Sequence, residues 1–145
     1  MIISFDLDDT LIPGTKRFET EEQSILHRIC GLEKIRLGTV SLFKVLKKKG
    51  LKIFIYTTSL RSAAKIKMTF YLYGIPVDGV INQQRYDKHL RENKARYSKY
   101  PPAFGINVHV DDSYGLEMEG KRYNFKTIIV DEKDQNWVGT ILEKI

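Results

Sequence analysis

The sequence predicts an α/β fold in three layers, a parallel five-stranded sheet with helices on both faces and no large cap domain. Two observations predict it. Five short apolar runs, at residues 2–5, 53–56, 77–81, 106–110 and 127–130, are enriched in Ile and Val, as strands buried on both sides must be. Between them lie longer stretches in which apolar residues recur at helical spacing. Strands alternating with helices imply βαβ crossovers and a parallel sheet covered on both faces.

The elements follow in order. Ile2-Ile3-Ser4-Phe5 is a short strand that ends abruptly in Asp6-Leu7-Asp8-Asp9, and Pro13-Gly14 then makes a loop. Thr20 with Gln23 three residues later has the form of a capping box, with Ile25, Leu26 and Ile29 at helical spacing behind it. A second helix starts near Thr39, carries Leu42, Phe43 and Leu46 on one face, and stops at Gly50. After the second strand, Ser59 is placed to cap a helix with Ala63, Ile66, Phe70 and Tyr73 on one side, ended by Gly74 and Pro76. The third strand, 77–81, is weakened by Gly79. A basic helical stretch, Pro101-Pro102, the fourth strand and the fifth strand follow, and residues 137–145 form a terminal helix anchored by Trp137. The whole is Rossmann-like.

The 145 residues suit one domain spanning 1–145 and suffice for a core without staples. No apolar run approaches the ~20 residues of a membrane helix, and the first residues lack the form of a signal peptide. The lone Cys30 excludes an internal disulfide and reads as a small buried hydrophobe, which implies a reducing, cytoplasmic setting. The net charge of +6 is clumped. Lys44, Lys47, Lys48, Lys49 and Lys52 form one run, and Arg85, Lys88, Arg91, Lys94, Arg96 and Lys99 form another, interleaved with Tyr86, Tyr97 and Tyr100. Solvated helix faces explain such runs, as does an electrostatic track for a polyanion with stacking groups beside it.

The chemistry lies where strands end, since open parallel sheets bind ligands beyond their carboxyl edge. Asp6, Asp8 and Asp9 follow the first strand, Thr57, Thr58 and Ser59 the second, and Asp111 and Asp112 the fourth. Any single acidic pair fits a turn or a helix cap. Carboxylates converging from two strand ends repel unless a cation neutralises them, and an all-oxygen set suits Mg²⁺. His109 lies inside a strand and reads as a packed core residue, and His27 and His89 read as surface residues on helical stretches.

These residues resemble the haloacid dehalogenase superfamily of phosphohydrolases. Phe5-Asp6-Leu7-Asp8-Asp9-Thr10-Leu11 is similar to its D-x-D-x-T motif, Ile53-Phe54-Ile55-Tyr56-Thr57 to its second motif, and Val108-His109-Val110-Asp111-Asp112 to its fourth. Its third motif is a lysine close to a proline. Lys99 before Pro101-Pro102 matches best, with Lys88 and Lys94 as competitors.

The resemblance implies a phosphomonoester hydrolase. Asp6 would be the nucleophile that forms an aspartyl-phosphate, and Asp8 the general acid and base, with its pKa raised by neighbouring carboxylates. Mg²⁺ would be held by Asp6, the backbone carbonyl of Asp8, and Asp111 or Asp112, with Asp112 preferred. Thr57, backbone N–H groups around Thr58 at the next helix N-terminus, and Lys99 would bind the phosphoryl group. Thr10 would brace the loop.

Residues 12–51 and 59–98 leave no room for a full cap beyond the elements they already hold, so a mini-lid within 13–35 is the most this chain accommodates. Capless members of the superfamily tend to act on macromolecules or to use an oligomeric neighbour as the lid. The implied partner is therefore a phosphorylated substrate, either a small phosphoester or nucleotide, a nucleic-acid end met by Arg85, Lys88, Arg91, Lys94 and Arg96, or a phosphoprotein. Two other classes compete. A receiver-like signalling domain would carry its phospho-accepting Asp after the third strand, where this chain has Val80-Ile81-Asn82. A non-catalytic metal-binding, phosphate-binding or interaction module would lack Asp6 or Asp8, and both are present.

Overall fold

The computed structural model describes residues 1–90 and 98–145. Its elements are β1 (Ile2–Phe5), α1 (Ile25–Ile29), α2 (Thr39–Lys48), β2 (Lys52–Tyr56), α3 (Ala63–Leu72), β3 (Gly79–Ile81) and α4 (Gln83–Leu90). A 3₁₀ turn (Pro101–Phe104), β4 (Val108–Asp111), α5 (Tyr114–Tyr123), β5 (Lys126–Ile129) and α6 (Trp137–Lys144) complete them. The five strands form one parallel sheet in the order β3-β2-β1-β4-β5. The chain moves outward from β1 to β3 and then crosses back to β4 on the other side of β1. The carboxyl ends of β1 and β4 therefore flank a topological switch point, the position at which doubly wound sheets open a crevice.

Alternation along the strands divides the core in two. On one face Ile3, Phe5, Ile53, Ile55, Val80, Val108, Val110 and Ile128 pack with Leu42, Phe43 and Leu46 of α2, Ile66 and Phe70 of α3, and Trp137 and Ile141 of α6. Three rings run through it, with centroids 4.9 Å apart for Phe5 and Phe43 and 5.7 Å for Phe43 and Phe70. The other face has a much smaller apolar cluster of Tyr56, Ile81 and Ile106, with Tyr86 of α4 and Phe104 packed against it. Ser4 and His109 belong to this second face, both fully buried and in register across β1 and β4.

Several local expectations change. The cap of α1 is Ser24 rather than Thr20, with His27 completing the reciprocal pair. Ser62, not Ser59, caps α3, because the Ser59 hydroxyl faces Arg61 instead. The third strand begins at Gly79 rather than residue 77, and α5, with only Leu116 and Gly120 buried, has no apolar stripe by which to foresee it. None of α1 is buried. Ile25 and Ile29 are 76% and 78% exposed, and Cys30, expected inside, is exposed too. The helix is held through His27, whose ring lies against Tyr73 and whose Nε2 lies 3.0 Å from the Leu72 carbonyl oxygen.

The segment between β1 and α2 is tied down by polar groups. The buried Arg36 guanidinium lies between the Phe18 and Trp137 rings, 4.6 and 4.8 Å from their centroids, and donates to the Asp131 carbonyl. Trp137 anchors α6 as expected, donating to the Leu37 carbonyl at 2.9 Å. The first N–H groups of α2 are satisfied by the Glu21 carboxylate, which accepts from Gly38 and Val40 at 3.0 Å each and suits the positive end of the helix. Gly38 itself sits at φ +93°, where a Cβ would approach Val138 to 2.8 Å. Gly38→Ala is thus expected to lower the unfolding free energy by more than about 1 kcal/mol, measured by urea denaturation. An unchanged midpoint would contradict this account of the α2 start.

Candidate functional site

The site is built from the ends of β1 and β4. Asp6 continues β1, its N–H donating to the Val110 carbonyl at 2.8 Å, and Asp111 is the last residue of β4. Both carboxylates are buried, and alternation places them on the same face as Ser4 and His109. Burial of two like charges is costly, and Lys99 offsets that cost. Its Nζ lies 2.7 Å from Asp6 Oδ1 and 2.6 Å from Asp111 Oδ2, and the side chain is itself buried. Among the described residues, Lys99 is the candidate third-motif lysine that the fold brings to the acids. Lys88 lies exposed on α4, and Lys94 lies outside the described residues.

The remaining acids are paired further out. Asp112 accepts from Lys16 at 2.8 Å and from the Thr10 hydroxyl at 3.2 Å, which places Thr10 in the brace expected of it. Asp8 is turned toward Arg61 at 2.8 Å, and the same guanidinium holds Glu33 at 2.7 Å. Asp9 serves the turn. Its φ is +63°, and Oδ1 accepts from the Gly14 and Lys16 N–H groups at 3.0 and 2.7 Å. Carboxylate oxygens of Asp6, Asp111 and Asp112 all come within 4.8 Å of one another, whereas the Asp8 side chain does not join them.

The electrostatics separate the two buried acids. Burial pushes Asp6 up to about 6, against the pull of Lys99. Burial acts upward on Asp111 as well, but the hydrogen bond from His109 and the Lys99 charge outweigh it and hold Asp111 below the usual carboxylate range. The His109 bond reaches only Asp111, so Asp111 keeps its charge and Asp6 carries the strain. Burial also pushes Lys99 down, but the two acids overcome it and raise its pKa. Burial holds His109 down to about 4, hence neutral at pH 7.

Thr57 is buried at the end of β2, and its Oγ1 accepts from the Ser59 N–H at 3.0 Å. Thr58 is exposed. The helix N-terminus expected around Thr58 lies instead at Ser62, because residues 57–62 form a loop in which Arg61 turns back to Asp8. Arg85 belongs partly to the fold, donating to the Val80 carbonyl at 2.9 Å. Arg91, Lys94, Arg96 and Tyr97 of the expected basic track lie outside the described residues.

Sequence reasoning missed three contributors. Lys16 and Arg61 sit in loops without periodicity, so no sequence signal marks them. His109 was expected to be buried, and it is, yet its ring also reaches Asp111 at 3.1 Å. The signal available was a polar residue at an inward position of an apolar strand. Comparison with known protein families and with curated proteins finds no match for this chain.

The raised pKa of Asp6 carries a stability consequence. The folded state binds this proton more tightly than the unfolded chain, so the group's stabilisation is present below about pH 4 and lost as pH rises through about 6. Asp6→Asn is expected to stabilise the metal-free protein at pH 7.5 by on the order of 1–3 kcal/mol, with the gain fading towards pH 4.5. Urea unfolding in chelator at the two pH values measures it. A less stable variant at pH 7.5 would contradict the electrostatic assignment.

Proposed function

We propose that this protein is a Mg²⁺-dependent phosphatase that hydrolyses a phosphomonoester through an aspartyl-phosphate on Asp6, as its resemblance to the haloacid dehalogenase superfamily implies. The observation that carries the reading is Lys99 buried between Asp6 and Asp111 at the switch point, with Asp112 beside them. The donor set fits a hard divalent cation. All side-chain donors are oxygens, and Asp6, Asp111 and Asp112 outnumber the Lys99 and Lys16 charges paired with them.

In this reading an Asp6 oxygen attacks phosphorus, the bond to the leaving oxygen breaks, and Asp8 supplies the proton that oxygen needs. Asp8 then takes a proton from water, the water oxygen attacks phosphorus, and the bond to Asp6 breaks to release phosphate. Asp8 serves only when its carboxyl leaves Arg61, and an arriving phosphoryl group competes directly for that guanidinium. Lys99 keeps the nucleophile in place and meets charge on the phosphoryl oxygens, with Thr57 and Thr58 as further phosphoryl contacts. Mg²⁺, held by Asp6, the Asp8 carbonyl, and Asp111 or Asp112, would supply charge neutralisation between nucleophile and phosphate.

Among the described residues no helix is long and apolar enough to cross a membrane. A cytoplasmic setting belongs to the proposal. The substrate class is left to one screen, in which small phosphoesters, nucleotides, phosphopeptides and 3′- and 5′-phosphorylated oligonucleotides are offered with Mg²⁺. Metal-dependent phosphate release is expected, lost on chelation and reduced on the order of 10³-fold or more in Asp6→Asn. Release that survives Asp6→Asn sinks the mechanism. Mg²⁺ binding without turnover of any member would favour a non-catalytic metal-binding module instead.

A further inference from the structure

Behind the acids lies a second layer of polar groups that the proposed chemistry does not use. Ser4 and His109 are fully buried register partners on β1 and β4, each two residues before an acid of the site. An apolar pair would fill this position between strands at no polar cost, whereas buried polar groups need partners to be tolerated. Both ring nitrogens of His109 have them. Nδ1 lies 2.7 Å from Ser4 Oγ, and Nε2 lies 3.1 Å from Asp111 Oδ2. The tautomer follows from the chemistry of the partners. An ionised carboxylate only accepts, so Nε2 carries the proton and Nδ1 accepts from the Ser4 hydroxyl. The Tyr56 ring, 5.5 Å away between centroids, flanks the imidazole.

This bond divides the oxygens of Asp111. Oδ2 accepts from Lys99 at 2.6 Å and from His109 at 3.1 Å, while Oδ1 accepts the Ser113 N–H at 2.9 Å. A carboxylate offers about four lone-pair sites. Both sites on Oδ2 are therefore used, and one remains on Oδ1, the oxygen that accepts no hydrogen bond from Lys99. We propose that His109, set by Ser4, is a positioning residue that pins Asp111 so that Oδ2 serves Lys99 and Oδ1 is left for a divalent cation. The inference rests on the metal-dependent reading of the site and deepens it. A hydrogen bond to a ligating carboxylate orients the ligand, and loss of such a partner typically costs about 10–100-fold in metal affinity.

The test measures Mn²⁺ binding to the whole 145-residue chain by electron paramagnetic resonance, without substrate, so activity plays no part in the readout. His109→Leu fills the space without a donor and is expected to weaken Mn²⁺ binding about 10–100-fold. His109→Gln keeps a donor N–H and is expected to recover most of that loss. A purely space-filling role makes the opposite forecast, with Leu binding like the parent and Gln no better. Thermal unfolding in chelator checks that each variant folds. Should His109→Leu fail to fold, Ser4→Ala decides. A several-fold weakening upholds the proposal and unchanged affinity overturns it. Parent protein that binds Mn²⁺, with folded His109 variants that bind it equally well, removes the role of His109 alone. Parent protein that binds no Mn²⁺ overturns both this inference and the metal-dependent reading beneath it.

Discussion

Two carboxylates at the ends of neighbouring strands repel each other, and removing them from water strengthens that repulsion because less solvent screens it. At Asp6 and Asp111 that problem is met by a third charge. The Lys99 ammonium lies within hydrogen-bonding distance of both, delivered by the segment that precedes the Pro101–Phe104 turn. That turn is held in place by the small core cluster on its face. Tyr56 receives the Tyr100 N–H on its hydroxyl at 3.0 Å and packs edge-on against Phe104. Folding of the second face thus sets the position of the charge that lets the acids be buried.

The two faces of the sheet divide the work. The α2, α3 and α6 side holds the bulk of the apolar core and with it most of the favourable burial. The opposite side has less apolar material and gives that room to Ser4, His109, Lys99 and the acids. Buried polar groups of this kind are tolerated when every member is satisfied, and here the imidazole, the ammonium and the Asp111 carboxylate each have partners. Surface loops complete the arrangement, with Lys16 on Asp112 and Arg61 on Asp8. These outer pairs are part-exposed and weaker than the buried triad, so they are the ones an incoming anion or cation would displace.

Much of this was legible in the sequence. The parallel sheet and the strand-end positions of Asp6, Thr57, Asp111 and Asp112 follow from periodicity and from where ligands sit on such sheets, whereas the preference for Lys99 beside its prolines rests on the family resemblance alone. What was not legible has specific causes. Thr20 and Ser59 satisfy the local pattern of a helix cap as well as Ser24 and Ser62 do, and only tertiary contacts, such as those of Arg61 with Asp8 and Glu33 that draw residues 59–61 into a loop, decide between them. The apolar spacing of Ile25, Leu26 and Ile29 marks a helix but not its burial, which depends on what packs beside it. Lys16 and Arg61 reach the site through loops, and loops carry no period. His109 shows both sides, since its burial and its reach to Asp111, two residues on along the same strand, follow from the strand's alternation, while its contact with Ser4 requires knowing that β4 lies beside β1.

Chemical trapping reads out the proposed covalent bond between Asp6 and phosphorus. The protein, turning over an aryl phosphate with Mg²⁺, is quenched with borohydride, which reduces an aspartyl-phosphate to homoserine, and the digest is sequenced by mass spectrometry. Homoserine at position 6, absent without substrate, is the expected result. Metal-dependent phosphate release with residue 6 unmodified, or with the label on another acid, would contradict the account.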